Sequence, residues 1–277
     1  MKTSKLGAEA IQTQKGGTIA LSFPRFSDSK ALKHAISTRV GGVSRGPQKS
    51  MNLSFKVQDD PVNVDENRFL LSKAIEMDLN RAACVQQVHG DKVLVLESGQ
   101  APKGKPLGEG DGLITNVTGI PLMILVADCL PLLFYDPVHK AIGLAHAGWR
   151  GTVSHVAAKT LLAMGEAYQT RPEETKVALG PCIGPCCYEV GEDVRREFSG
   201  VFPWAEEVMR ASTKGHWTLD LAEANARQLQ EVGVREENLV KSNLCTVKNI
   251  DLFYSHRAEA SAEKPTGRFG AFLMLTD

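Results

Sequence analysis

The chain has 277 residues, 43% hydrophobic and 23% charged, an ordinary balance for a globular protein of one large domain or two small ones. Lys and Arg together number 32, as do Asp and Glu, so there is no basic footprint for nucleic acid or for an anionic membrane. No apolar run approaches the ~18 residues of a membrane span, residues Met1–Gly7 hold no apolar signal segment, and six cysteines scattered along a long chain suit reduced thiols in the cytoplasm.

Residues 1–18 read as a polar lead-in and 19–277 as a single catalytic domain. Ile19–Phe23 and Leu32–Ile36 are predicted strands. A glycine-rich basic loop runs from Arg39 to Lys49. Asp65–Met77 is a predicted helix, with Phe69, Leu70, Lys73, Ala74 and Met77 forming its stripe. Strands are expected at 83–88, 92–97, 111–115, 121–127, 131–135 and 139–145, with a mobile loop at 98–110. Thr152–Ala167 is the clearest helix, because Val153, Val156, Ala157, Thr160, Leu161 and Met164 share one face. Asp220 and Glu223 have capping-box spacing ahead of another helix, and Arg268–Leu275 is a closing strand. Many strands precede a few helices without strict alternation, which predicts one α+β domain of mixed sheets layered with helices.

Three of the expected strands end on chemistry. Residues 83–88 run into His89, residues 122–127 run into Asp128 and Cys129, and 141–145 run into His146. Two imidazoles and a thiolate, widely spaced, make the donor inventory of an open catalytic zinc site rather than a closed structural one. Taken singly, each could be a polar strand end or a buried small side chain. Cys129 could equally be a nucleophile with His146 as its base. Asp128 is a candidate for orienting a ligand or shuttling a proton, or a simple turn former.

Arg150 stands just before the helix expected from Thr152, where a helix N-terminus and a guanidinium would suit an anion such as phosphate. The loop around Arg39, Gly41 and Gly42 offers similar chemistry more weakly. The run Gly180–Glu189 carries Cys182, Cys186 and Cys187 without C-x-x-C spacing, and reads as a tight pocket wall with Tyr188. Neither H-E-x-x-H nor the H-x-E with P-C-x-x-C of zinc deaminases is present.

Together Thr38–Gly42, Met51–Leu53, Gln87–Gly90, Asp111–Thr115, Ala127–Pro131, His146–Gly151, Gly180–Ile183 and Cys187–Gly191 resemble the laccase-domain family, whose YfiH-like members have carried the label polyphenol oxidase. The resemblance covers residue 19 to the end. It implies an α/β/β/α-like layered fold related to toxin-type cysteine hydrolases. It implies zinc held by His89, Cys129 and His146. The implied activity is phosphorolysis of adenosine, inosine, guanosine and S-methyl-5′-thioadenosine, with adenosine deaminase side activity from a zinc-polarised water.

On that reading the partners are a purine nucleoside and phosphate, in a monomer or homodimer. Phosphate would sit on Arg150 or Arg39, and Asn52 and Gln87 would contact sugar or base. Amide hydrolysis by Cys129, a peptidoglycan-editing chemistry, is the alternative. Copper could displace zinc and give weak polyphenol oxidation. A full laccase cannot be built, since none of the seven histidines forms a His-x-His pair. Ser255-His256-Arg257-Ala258-Glu259 replaces the Ser-Tyr-Arg-Arg pattern usual in the family, at a place expected to lie away from the ligands.

Overall fold

The expected lead-in contributes strands instead. The computed structural model describes residues 2–6, 10–26, 30–100, 105–261 and 264–276. In it, Lys2–Leu6 (β1) and Ala10–Lys15 (β2) pair antiparallel, and β2 continues onto Thr18–Ser22 (β3). A polar strand at a sheet edge carries no apolar run, so periodicity is blind to it. Next come Leu32–Ser37 (β4) and the helix Pro61–Ile75 (α1). That helix starts earlier than expected, ends before Met77, and buries another face: Val64, Asn67 and Leu71 are buried, whereas Phe69 and Lys73 of the expected stripe are exposed. Asp60 caps it by accepting from Val62 N, Pro61 occupies its first turn, and Glu76 ends it in the left-handed region.

Ala83–Cys84 (β5) and Val93–Val95 (β6) are shorter than expected. Gly112–Thr115 (β7), Leu122–Val126 (β8), Leu130–Asp136 (β9) and Ala141–Ala147 (β10) follow within a residue or two of expectation. His146 therefore lies inside β10 rather than beyond it. The helix expected from Thr152 is two helices, Trp149–Val153 (α2) and Val156–Tyr168 (α3), broken where His155 turns left-handed. The rest of the chain forms Lys176–Leu179 (β11), Glu189–Gly191 (β12), Glu192–Val201 (α4), Ala205–Val208 (α5), Met209–Ala211 (β13) and His216–Leu219 (β14). It closes with Leu221–Glu231 (α6), Leu239–Lys241 (β15), His256–Glu259 (α7) and Phe269–Leu275 (β16). Asp220 caps α6 by accepting from Glu223 N, as its spacing predicts.

The strands form a seven-stranded sheet (β1-β2-β3-β4-β16-β8-β5), a six-stranded sheet (β15-β11-β9-β10-β7-β6) and a small three-stranded one (β12-β14-β13). The two large sheets are layered, with Leu122, Ile124, Ala271 and Leu273 of one meeting Leu133, Tyr135, Ile142 and Leu144 of the other. Alternate residues of the same strands face outward. Met123 and Phe272 meet Leu71 of α1, while Leu132, Phe134 and Ala145 meet Leu161 and Met164 of α3 and Leu229 of α6. A strand covered on both faces reads as a continuous apolar run, which is why β8, β9, β10 and β16 are legible from sequence. The result is one α+β domain with the helix–sheet–sheet–helix order that the resemblance implies.

Of the expected mobile loop, residues 101–104 lie outside the described residues. The part after them runs along β5, with Leu107 N donating to Cys84 O and Gln86 bridged to Glu109. Among the described residues no helix is long and apolar enough to cross a membrane.

His34 on β4 stacks on Phe23, meets Phe26 edge-on, and accepts a 2.7 Å hydrogen bond from Phe23 N through Nε2. Burial pulls its pKa down to about 4. The unfolded chain binds that proton near pH 6.5, so the contribution of neutral His34 is complete above about 6.5 and is lost as pH falls toward 4. Urea titrations at pH 7 and pH 4 should show the native chain losing on the order of 1–3 kcal/mol more than His34→Gln, which keeps an acceptor but has no proton to gain.

Candidate metal centre

Register explains how distant residues meet. Gly112 of β7 lies opposite Ala145 of β10, so Asp111 lies opposite His146, and His146 N donates to Asp111 O at 2.8 Å. Pro131 of β9 is opposite His146 and Leu130 opposite Ala147, which carries Cys129 toward Gly148. Cys129 stands at the corner where the chain leaves β8 of one large sheet and enters β9 of the other. Asp128 makes that corner with φ +85°. His89 sits just ahead of β6, which runs parallel to β7.

The donor atoms of His89, Cys129 and His146 lie within 4.8 Å of one another. The two imidazoles are 4.8 Å apart and nearly perpendicular. His146 is buried, Cys129 half-buried and His89 exposed, so the group has one open side. His146 Nδ1 lies 2.7 Å from Asp111 Oδ1, which leaves Nε2 to face the cluster. The same carboxylate accepts from the backbone N–H groups of Val88 (3.1 Å), His89 (3.0 Å) and Gly90 (2.7 Å), holding His89 at φ +61°. A Cβ on Gly148 would lie 3.0 Å from Cys129 Sγ and 3.3 Å from His89 Cδ2, so a side chain there would press on both groups.

Burial opposes ionisation of Cys129, but the charges and hydrogen bonds of His146 and His89 outweigh it and draw the thiol down to about 6. Burial likewise opposes charge on His146, and Cys129 and Asp111 overcome it and raise its pKa. Burial also works against Asp111, but His146 and the N–H groups of Gly90 and Val88 hold it below the usual carboxylate range. A ready thiolate and two imidazoles, with one side open, suit a borderline-soft cation such as zinc or copper.

The three donors open onto a cavity of about 660 Å³. Phe55, Met123, Leu125, Ile183 and Tyr188 supply apolar wall, and Arg68, His256, Arg257 and Arg268 supply polar wall. The departing segment, expected to lie away from the ligands, puts His256 and Arg257 in the same cavity. It gets there because Arg257 N and Ser255 Oγ donate to Asp128 Oδ2, while Thr246 Oγ1 donates to Oδ1. Asp128 borders the cavity, yet its carboxylate is spent fastening the start of α7.

Several expected site residues are placed elsewhere. Arg39 is bound to Glu259 at 2.8 Å, donates to the carbonyls of Lys49 and Ile250, and lies over Tyr254, outside the cavity lining. The glycine loop beside it is already tied to the protein, with Gly42 N donating to Ser50 Oγ and Val43 N to Asn67 Oδ1 of α1. Arg150 is exposed over the Trp149 ring and is also outside the lining. Asn52 is fully buried, joined to Ser54, Asp59 and Arg268 N. Gln87 does border the cavity, but its amide pairs with Leu125 N and O and prolongs the β5–β8 ladder. Sequence reasoning missed Asp111, Arg68 and Arg268. Asp111 was visible only as the first residue of a motif, and the arginines are distant in sequence from every donor.

A family model described as "Multi-copper polyphenol oxidoreductase laccase" matches residues 33–276. A Deinococcus radiodurans protein named purine nucleoside phosphorylase is 40% identical over 247 residues, 88% of this chain and 90% of its own. Purine nucleoside phosphorylase YlmD of Geobacillus stearothermophilus is 34% identical over 271 residues, 96% of this chain and 97% of its own. The crystal structure of YlmD from that organism superposes with a TM-score of 0.88 at 32% identity, covering 98% of this chain and 100% of that one.

Asp111→Asn should keep the fold and lower metal affinity about 10–100-fold, because His146 and the His89 turn lose their shared anchor. Gly148→Ala should lower metal content by crowding Cys129. Metal analysis after dialysis against graded chelator reads both effects.

Proposed function

Since the chain belongs to this laccase-like family, we propose that it is a purine nucleoside phosphorylase whose zinc centre is His89, Cys129 and His146. Its substrates are adenosine, inosine, guanosine and S-methyl-5′-thioadenosine, with adenosine deamination as a side activity. The observation that carries this reading is one cavity of about 660 Å³ that joins the donor cluster, three arginines and apolar wall. That volume falls in the range of small-ligand sites and has room for a nucleoside beside phosphate.

In phosphorolysis a phosphate oxygen forms a bond to the anomeric carbon while the bond from that carbon to the purine nitrogen breaks. The chain's first task is to hold an anion next to a sugar. Arg268 is fixed by Nη1 donating to the carbonyls of Thr266 and Gly267, Arg257 by Nη1 to Glu189 O, and Arg68 by Nε and Nη2 to Leu53 O. A guanidinium has five N–H donors, so each retains others for phosphate. Phe55, 47% exposed, and Tyr188 offer flat faces for a purine. A bound zinc supplies positive charge against the negative charge that develops as bonds rearrange. All six cysteines are free thiols, which suits the cytoplasm.

A second reading has an observation of its own: a thiol drawn down to about 6 beside an imidazole is what a cysteine hydrolase requires. The two separate cleanly. Metal-counted protein given adenosine should release adenine and ribose 1-phosphate only when phosphate is present, and chelation should stop it. Activity toward an amide that survives chelation but not alkylation of Cys129 would instead establish the hydrolase.

Cys129→Ala should lose both metal and at least about 100-fold in kcat/KM, a loss of about 3 kcal/mol. Arg268→Met should raise the KM for phosphate roughly 10–100-fold, the worth of one or two charge-assisted hydrogen bonds. Initial rates at varied phosphate test this second effect.

A further inference from the structure

A second cluster of soft donors lies outside the centre described above. The sulfur atoms of Cys186, Cys187 and Cys245 lie within 4.8 Å of one another, and Cys186 and Cys187 are 3.5 Å apart. The neighbouring cysteines are delivered by a tight turn in which Cys187 N and Tyr188 N both donate to Gly184 O. Cys245 comes from a segment 61 residues away and accepts from Gly184 N at 3.3 Å. A Cβ on Gly184 would lie 3.2 Å from Cys245 Cβ, so glycine lets the turn close on that thiol. The two segments are already aligned by backbone, with Cys182 N donating to Leu244 O and Thr246 N to Cys182 O.

We propose that Cys186, Cys187 and Cys245 form a separate three-thiolate site for monovalent copper. Three thiolates with no histidine or carboxylate among them are a soft donor set, which selects Cu(I) or zinc over hard cations. A structural zinc asks for four protein ligands. The cluster unites three among the described residues, a number that satisfies Cu(I). Cys182, though paired with Cys245 through the backbone, is buried and is not among the three sulfurs that converge.

The consequence is mechanical. The turn that carries Cys186 and Cys187 also carries Ile183 and Tyr188 into the cavity wall, and Thr246, next to Cys245, holds Asp128. Copper in the cluster would tie these two segments across the back of the cavity. The site stands independently of the phosphorylase reading.

The test is an anaerobic titration of fully reduced, demetallated protein with Cu(I) against bathocuproine disulfonate. The native chain should take up one more equivalent than the Cys186→Ser/Cys187→Ser double variant, with ultraviolet copper–thiolate absorption that the variant lacks. Cys129→Ala should retain that equivalent. Thermal melts show whether the double variant folds. If it does not, the exposed Cys186→Ser alone should weaken Cu(I) binding at least 10-fold. In the native chain, Cu(I) should shield Cys186, Cys187 and Cys245 from alkylation as read by mass spectrometry. Equal uptake by native and folded variant chains, or unprotected thiols, overturns the site. A zinc equivalent lost in the variant with no change in Cu(I) overturns the choice of copper.

Discussion

One buried carboxylate organises the centre. Asp111 is fully excluded from solvent, and its two oxygens take three backbone N–H groups from residues 88–90 and the Nδ1 of His146. An ionised carboxylate so placed must be fully partnered, because a buried charge left without its partners costs about 3–5 kcal/mol. Its partners are the backbone turn that presents His89 and the ring that presents His146. The requirement to satisfy one anion therefore fixes two donors at once, and the β7–β10 register brings the anion to the right place.

The third donor depends on architecture rather than on hydrogen bonding. Cys129 occupies the passage between two stacked sheets, and the sheets are held together by apolar side chains on their facing surfaces. Each fully buried Leu, Ile or Phe there contributes roughly 1.5–3 kcal/mol. The corner is pinned from the far end of the chain, since Thr246, Ser255 and Arg257 all bind Asp128. The same contacts bring His256 and Arg257 into the cavity. Core packing and the wall of the site are thus one construction.

The strands that carry the donors were legible because they are buried on both faces and read as unbroken apolar runs. The edge pieces were not. β1 and β2 are polar, and β11, β12, β13, β14 and β15 are three or four residues long, too short for a period to register. The donors His89, Cys129 and His146 were legible as residue types at strand ends. The arginines were not assignable, because a guanidinium beside a glycine loop looks the same in sequence whether it meets a ligand or, as Arg39 does, Glu259 and a tyrosine face. Asn52 and Gln87 carry polar groups that a substrate could use, and folding uses them first.

By itself the sequence determined the α+β class, the apolar strands, the helix caps at Asp220 and the inventory of soft donors, because these follow from local pattern and side-chain chemistry. Only the tertiary structure decided which arginines reach the cavity, that Asp111 anchors two donors, and that Cys245 joins Cys186 and Cys187. Those facts depend on register and sheet stacking, which bring together groups far apart in the chain, such as Asn52 and Arg268, 216 residues apart. No local interaction encodes such distances. They follow from the way extended strands must bury both faces at once.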